Sequence, residues 1–230
     1  MLSRMVLILV LTFLSTTCIA QEKLPRVLIL GDSIYQQPAR EIEKELKGKA
    51  IVVFPRIEQG EIRNSHFALR DFDSLVGKEE WDVIHFNVGL GDLVHRAPNL
   101  KDFRVLPAKA GGVRATEPNQ YRSNLEKLVE RLQSTNAKLI WASTTPIRHS
   151  TTGVFVKGAA VEYNRIAAKI MKSKNVAIND MHTHVKGLID MNRPAAHGAD
   201  PFHFDRKSIA GPILKSIQTA IKQGDRGLGS

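Results

Sequence analysis

The sequence predicts an α/β fold, a parallel β-sheet with helices on both faces, and three observations predict it. Short apolar runs bounded by turn residues recur at residues 27–30, 51–54, 83–86, 139–142 and 176–178, each with the length and composition of a buried strand. Segments with helical spacing lie between or after them, at residues 38–46, 119–133, 159–172 and 205–221. Strand and helix therefore alternate, which is the signature of βαβ units.

Residues 1–20, MLSRMVLILVLTFLSTTCIA, precede that pattern and have the parts of a signal peptide: Arg4, an apolar stretch from Val6 to Leu14, and a small-residue cleavage site at Cys18-Ile19-Ala20. The apolar stretch is shorter than the roughly 20 residues a membrane span needs. We expect cleavage, a secreted or periplasmic protein, and no stable membrane anchor afterwards. The only cysteine leaves with the signal, so packing rather than a disulfide must hold the rest. Residues 21–230 suffice for one hydrophobic core and are expected to form a single domain, frayed from about residue 224.

The first run ends at Gly31-Asp32-Ser33 within PRVLILGDSIYQQPAREIEKELKG, and a helical pattern follows. After the third run, residues 93–116 carry two prolines, a Gly-Gly pair and no sustained period, which reads as a long loop. Next comes an amphipathic helix with Tyr121, Leu125, Leu128 and Leu132 on one face and Pro118 in its first turn. The formal charge of +10, or +9 once Arg4 is removed, is spread among intervening acids. Without a basic run interleaved with aromatics, nucleic acid is not an expected partner.

In an open parallel sheet ligands bind beyond the carboxyl ends of the strands, so the residues that follow each run are the candidates. Gly31-Asp32-Ser33 could be no more than a helix-capping turn. A serine hydroxyl becomes a nucleophile when an imidazole takes its proton and a third group orients that imidazole. Asp200 and His203, three residues apart before the last helix, could supply both.

Taken together, GDS after the first strand, the block WDVIHFNVGLGDL after the third and DPFHF before the last helix resemble the SGNH (GDSL-like) hydrolase family, from Val27 to about Ile221. The stretches KLIWASTTPI and EYNRIAAKIMKSKNVAIND resemble those of secreted bacterial members. The resemblance implies a three-layer α/β/α sandwich with a flavodoxin-like, mainly five-stranded parallel sheet. It implies ester hydrolysis through an acyl-enzyme on Ser33, with His203 as general acid and base, Asp200 orienting it, and the Ser33 amide in an oxyanion hole. No metal or organic cofactor is implied; a small-molecule or carbohydrate ester would be the substrate.

The sequence departs from the family at two places. GLGD aligns Gly89 and Asp92 with the family's Gly-x-Asn-Asp but puts Gly91 where the oxyanion-donating Asn belongs. Gly60 is the only glycine after the second run, whereas Asn64-Ser65-His66 looks like the place of the family's second block. Asn64 and Asn87 are expected to line the site with Asp32, and either could replace the missing donor. The departures keep a second reading open, a catalytically weakened protein that binds carbohydrate or a partner through the same cleft.

His182 and His184 are expected at a helix start and at the surface, where residues two apart diverge, so they are not read as metal ligands. Asp180 is expected to cap that helix and Trp81 and Trp141 to pack in the core. No serine sits in a G-x-S-x-G elbow, and the first strand-helix turn lacks the spaced glycines of a dinucleotide site.

Overall fold

The structure, a computed structural model, describes residues 23–58, 61–98, 104–148, 153–193 and 204–225. The expected signal peptide, Gly60, Asp200, His203 and the end of the tail lie outside the described residues. In chain order the elements are β1 (Arg26–Leu30), α1 (Gln36–Glu45), β2 (Ile51–Val53), α2 (Ser65–Arg70), α3 (Phe72–Val76), β3 (Val83–Phe86), α4 (Leu90–Leu93), β4 (His95–Arg96), β5 (Val113–Arg114), α5 (Pro118–Gln133), β6 (Lys138–Ala142), α6 (Ala160–Ser173), β7 (Ala177–Asn179), α7 (Met181–Lys186) and α8 (Ala210–Asp225), with 3-10 turns at Ala108–Ala110 and Arg206–Ile209.

The main sheet has the order β2-β1-β3-β6-β7 and every neighbouring pair is parallel. Central strands covered by helices on both faces must be apolar on both, and Val27, Leu28, Ile29, Val83, Ile84 and Phe86 are completely buried. Helices α1 and α8 pack together on one face, while α2, α5 and α6 form the other layer. This is the predicted three-layer α/β/α arrangement with a flavodoxin-like sheet.

Burial explains the helices. Tyr121, Leu125, Leu128 and Leu132 are the buried stripe of α5, and Pro118 occupies its first turn, where a missing N–H leaves no hydrogen bond unmade. The same tolerance lets α1 begin at Gln36, ahead of Pro38. Trp81 and Trp141 are core residues as expected, and the Asp180 carboxylate caps α7 by accepting from the Thr183 amide. His182 and His184 are half-buried rather than surface residues, because α7 lies against the turn at Arg206–Ile209 and His184 Nε2 meets the Ser208 carbonyl at 3.1 Å.

The segment expected to be a featureless loop contains a small antiparallel ladder, β4 with β5. Two residues per strand are too few to show a period in sequence. Gly111, at φ 90°, supplies the left-handed turn between them.

The strand order reverses between β1 and β3: the chain crosses from β1 to the sheet edge at β2 and returns to the far side of β1 as β3. Loops leaving the carboxyl ends of β1 and β3 diverge there, opening a crevice at the topological switch point.

Candidate active site at the carboxyl ends of β1 and β3

Ser33 sits at that crevice, in the turn between β1 and α1, and is exposed. The helix it precedes has Tyr35 as N-cap and no capping side chain. Its carbonyl accepts from Arg206 Nη1 at 3.4 Å, so the segment that follows Asp200 and His203 in the chain meets the β1–α1 turn at Ser33 itself.

Asp32 organises the turn. Its Oδ1 accepts from the Ile34 amide at 2.8 Å and its carbonyl accepts from the Tyr35 amide at 3.1 Å. Burial raises its carboxyl pKa to about 6, against the opposing pull of the Ile34 amide and then of Arg206 and Arg63.

Across the crevice, the block after β3 is built by close packing. Gly89 has no room for a side chain, since a Cβ would lie 2.3 Å from Thr144 Oγ1. At Gly91 a Cβ would come within 2.5 Å of the Arg63 carbonyl oxygen and 2.8 Å of its carbon. Asp92, completely buried, accepts from the Ser65 amide at 3.0 Å and from Ser65 Oγ at 2.6 Å, and Ser65 Oγ in turn accepts from Asn124 Nδ2 at 2.9 Å. Burial pushes its carboxyl to about 6, with the Ser65 and Thr116 hydrogen bonds opposing. Asp92 thereby ties α4 to α2 and α5.

The two asparagines are engaged elsewhere in the fold. Asn64 is the N-cap of α2 and accepts from the Phe67 amide at 2.8 Å. Asn87 is buried and donates to the Ala142 carbonyl at 2.8 Å and to Thr144 Oγ1 at 3.3 Å, joining β3 to β6. Both line a small apolar cavity beneath the turn, together with Leu30 and Gly31. Asp32, Ser33 and Gly91 line a different space, an open cleft of about 290 Å³.

Arg63, which no sequence pattern singled out, joins the two. It is 9% exposed, and its guanidinium donates to Glu61 Oε1 at 2.5 Å, the Gly31 carbonyl at 3.2 Å, the Pro55 carbonyl at 3.0 Å and the Arg56 carbonyl at 2.6 Å. The β2–α2 loop is thus stapled to the end of β1, two residues before Ser33. An isolated arginine in IRNSHF has no spacing that marks it; only the fold brings three carbonyls to its fork.

Among the described residues, no cluster of three or more His, Cys, Asp or Glu could hold a metal ion. Nor is any described helix long and apolar enough to cross a membrane.

No protein-family model matches the chain, and no curated protein does. Solved structures do. An acetyl xylan esterase, AlAXEase, superposes with a TM-score of 0.62 at 16% identity, covering 84% of this chain and 99% of its own. A lipase/acylhydrolase from Enterococcus faecalis gives 0.61 at 15% identity over 85% of this chain and 96% of its own. A GDSL-like lipase from Bacteroides thetaiotaomicron gives 0.59 at 16%, over 86% and 88%. Sheet order, layer arrangement and these superpositions agree: the chain has the fold of the SGNH (GDSL-like) hydrolases.

Proposed function

We propose that the protein is an exported serine esterase that cleaves carboxylic esters at Ser33. One observation carries the reading: Ser33 is exposed in a cleft at the switch point, capping nothing, with Arg206 hydrogen-bonded to its carbonyl. His203 precedes that arginine by three residues in the chain. The solved structures with this fold support the same chemistry, being described as esterases and acylhydrolases, and the N-terminal signal sequence supports export to the periplasm or beyond.

In the proposed reaction His203 accepts the Ser33 proton as Oγ bonds to the ester carbonyl carbon. The C–O bond to the alcohol then breaks and the alcohol leaves with that proton. Water, deprotonated by the same imidazole, releases the acid and frees Ser33. Asp200 orients the imidazole. The Ser33 amide donates to the developing oxyanion, and at position 91 the chain can offer only a backbone amide. The substrate is a small-molecule or carbohydrate ester, acetylated sugars included.

The test is labelling with a fluorophosphonate serine probe beside turnover of an ester panel. Labelling lost in both Ser33→Ala and His203→Ala, with the fold retained, supports the mechanism. Wild type that is folded, unlabelled and inactive would refute it and favour the binding protein.

A further inference from the structure

The positive charge of the chain is unevenly shared. Residues 138–230 contain 14 Lys and Arg against 6 Asp and Glu, whereas residues 21–137 contain 18 against 17. The excess belongs to the half of the fold built from β6, α6, β7, α7 and α8, which ends at the sheet edge β7. Residues 138–161, 163–179 and 206–224 include no Asp or Glu at all. Lysines at a sheet edge can serve only to deter pairing with another strand, but that task needs no groove.

A groove of about 400 Å³ runs along this edge between β7 and α8. Pro212, Lys215, Ser216, Thr219, Ala220 and Gln223 line it from the helix, at spacings that place them on one face over three turns, about 16 Å. Lys215, Thr219 and Gln223 are exposed, as is Lys222, two turns beyond Lys215 on the same side of α8. Thr219 Oγ1 donates to the Lys215 carbonyl at 2.9 Å and keeps its lone pairs to accept. The strand side is Ala177, Ile178 and Asn179. The Asn179 carbonyl accepts from the Ser143 amide at 3.1 Å and so faces β6. Successive residues of a strand direct their N–H and C=O to opposite sides, so Ile178 directs both toward the open edge.

Ammonium, amide and hydroxyl groups along one groove suit a polymer of hydroxyls and anionic groups. Nucleic acid fits less well, since residues 174–181 and 206–224 contain no Phe, Tyr or Trp on which a base could stack. A lipid surface fits less well too, because the exposed positions of this helix face carry polar side chains where an inserting helix carries apolar ones. We propose that the groove between β7 and α8 is a docking site for an acidic polysaccharide. Lys215 and Lys222 meet its carboxylates or sulfates, and Thr219, Gln223 and the main chain of Ile178 meet its hydroxyls. The groove shares no lining residue with the cleft at Ser33. It lies three strand spacings from β1, about 14 Å, so a polymer held there leaves the cleft open.

The test is calorimetric binding of polygalacturonate to the purified protein at low and at high salt. We expect saturable binding that weakens about tenfold or more as the salt is raised tenfold. Lys215→Gln and Lys222→Gln should each weaken it about two- to fivefold, and Thr219→Glu, which sets a like charge in the groove, more than either. Lys47→Gln with Lys49→Gln removes as much charge from exposed positions before β2, at the opposite edge of the sheet, and should leave the affinity unchanged. Equal losses from the two pairs would mean attraction by net charge alone and overturn the groove. So would no binding by wild type, or tighter binding of single-stranded DNA or of phosphatidylglycerol vesicles at the same salt. Sedimentation showing a dimer that Thr219→Glu disperses would assign the groove to a second copy instead and overturn the proposal equally. Ser33→Ala should bind as wild type does, which keeps this site separable from the esterase reading: an inert protein that binds the polymer keeps the groove and loses the esterase, and an active one that does not bind does the reverse.

Discussion

In the sequence resemblance to the SGNH hydrolases Gly91 falls at the position of an oxyanion-donating asparagine, so Gly91→Asn looks like a restoration. The structure predicts that it is not. A Cβ at this position would lie 2.5 Å from the Arg63 oxygen, 2.8 Å from its carbonyl carbon and 3.0 Å from the Asn64 nitrogen. All three are backbone atoms, held by the Arg63 staple and by the α2 cap. They cannot move aside as a flexible side chain would. Overpacking of this kind costs about 1 to 3 kcal/mol or more, which in a chain of this size lowers Tm by roughly 2 to 12 °C. Because the clash begins at Cβ, Gly91→Ala should lose nearly as much as Gly91→Asn. The assay is thermal unfolding by circular dichroism, paired with kcat on the best ester found. A Gly91→Ala variant with wild-type Tm, or a Gly91→Asn variant with clearly increased kcat, would refute the reasoning.

Arg63→Lys keeps the charge but loses the planar fork that serves three carbonyls and Glu61; we expect a loss of about 2 to 3 kcal/mol and a lower kcat/KM, read by urea unfolding and ester kinetics. The buried Asp92 binds its proton more tightly in the native state, at about 6 against the ordinary 3.8 of a free carboxyl, so its contribution is fully favourable below the lower value and is lost as pH rises through about 6. That amounts to roughly 3 kcal/mol of pH dependence. Urea midpoints for wild type should accordingly fall relative to Asp92→Asn between those two pH values, and parallel curves would contradict the assignment. Ester turnover should decline on acidification through roughly pH 6 to 7 as His203 takes a proton. Since Asp32 also titrates at about 6, the acid limb must persist in Asp32→Asn for the histidine to be its source.

What could be read from the sequence follows the physics of burial. The three central strands were legible because a strand covered on both faces has to be a continuous apolar run. The edge strand β7 is shifted one residue from its expected position, and its Ile178 is 40% exposed, so the apolar run there reports the loop before it as much as the strand. His85 sits in the fully buried β3, where burial drives its pKa down to about 3 and keeps it neutral; only the surrounding apolar residues made that run recognisable. The short helices α2 and α3 carry too few turns to display a period. At the site, the position of Ser33 was legible from the break between strand and helix. The tasks of Asn64, Asn87 and Asp92 were not, because a cap and a cross-strand donor look the same in sequence as a residue that faces substrate. Arg63 was invisible for the opposite reason, its partners being main-chain atoms that any sequence possesses.

The hydrogen bond between Arg206 and Ser33 joins positions 173 residues apart, and α8, the final helix, lies across β3, β6 and β7. During synthesis the chain therefore lays down Ser33 near the beginning and the segment that meets it near the end. A nascent chain can pair β1 with β3 long before Arg206 emerges. Contacts this distant are slow to form, and they make the environment of Ser33 a property of the nearly finished polypeptide: a fragment stopped before Arg206 would present the serine without that neighbour.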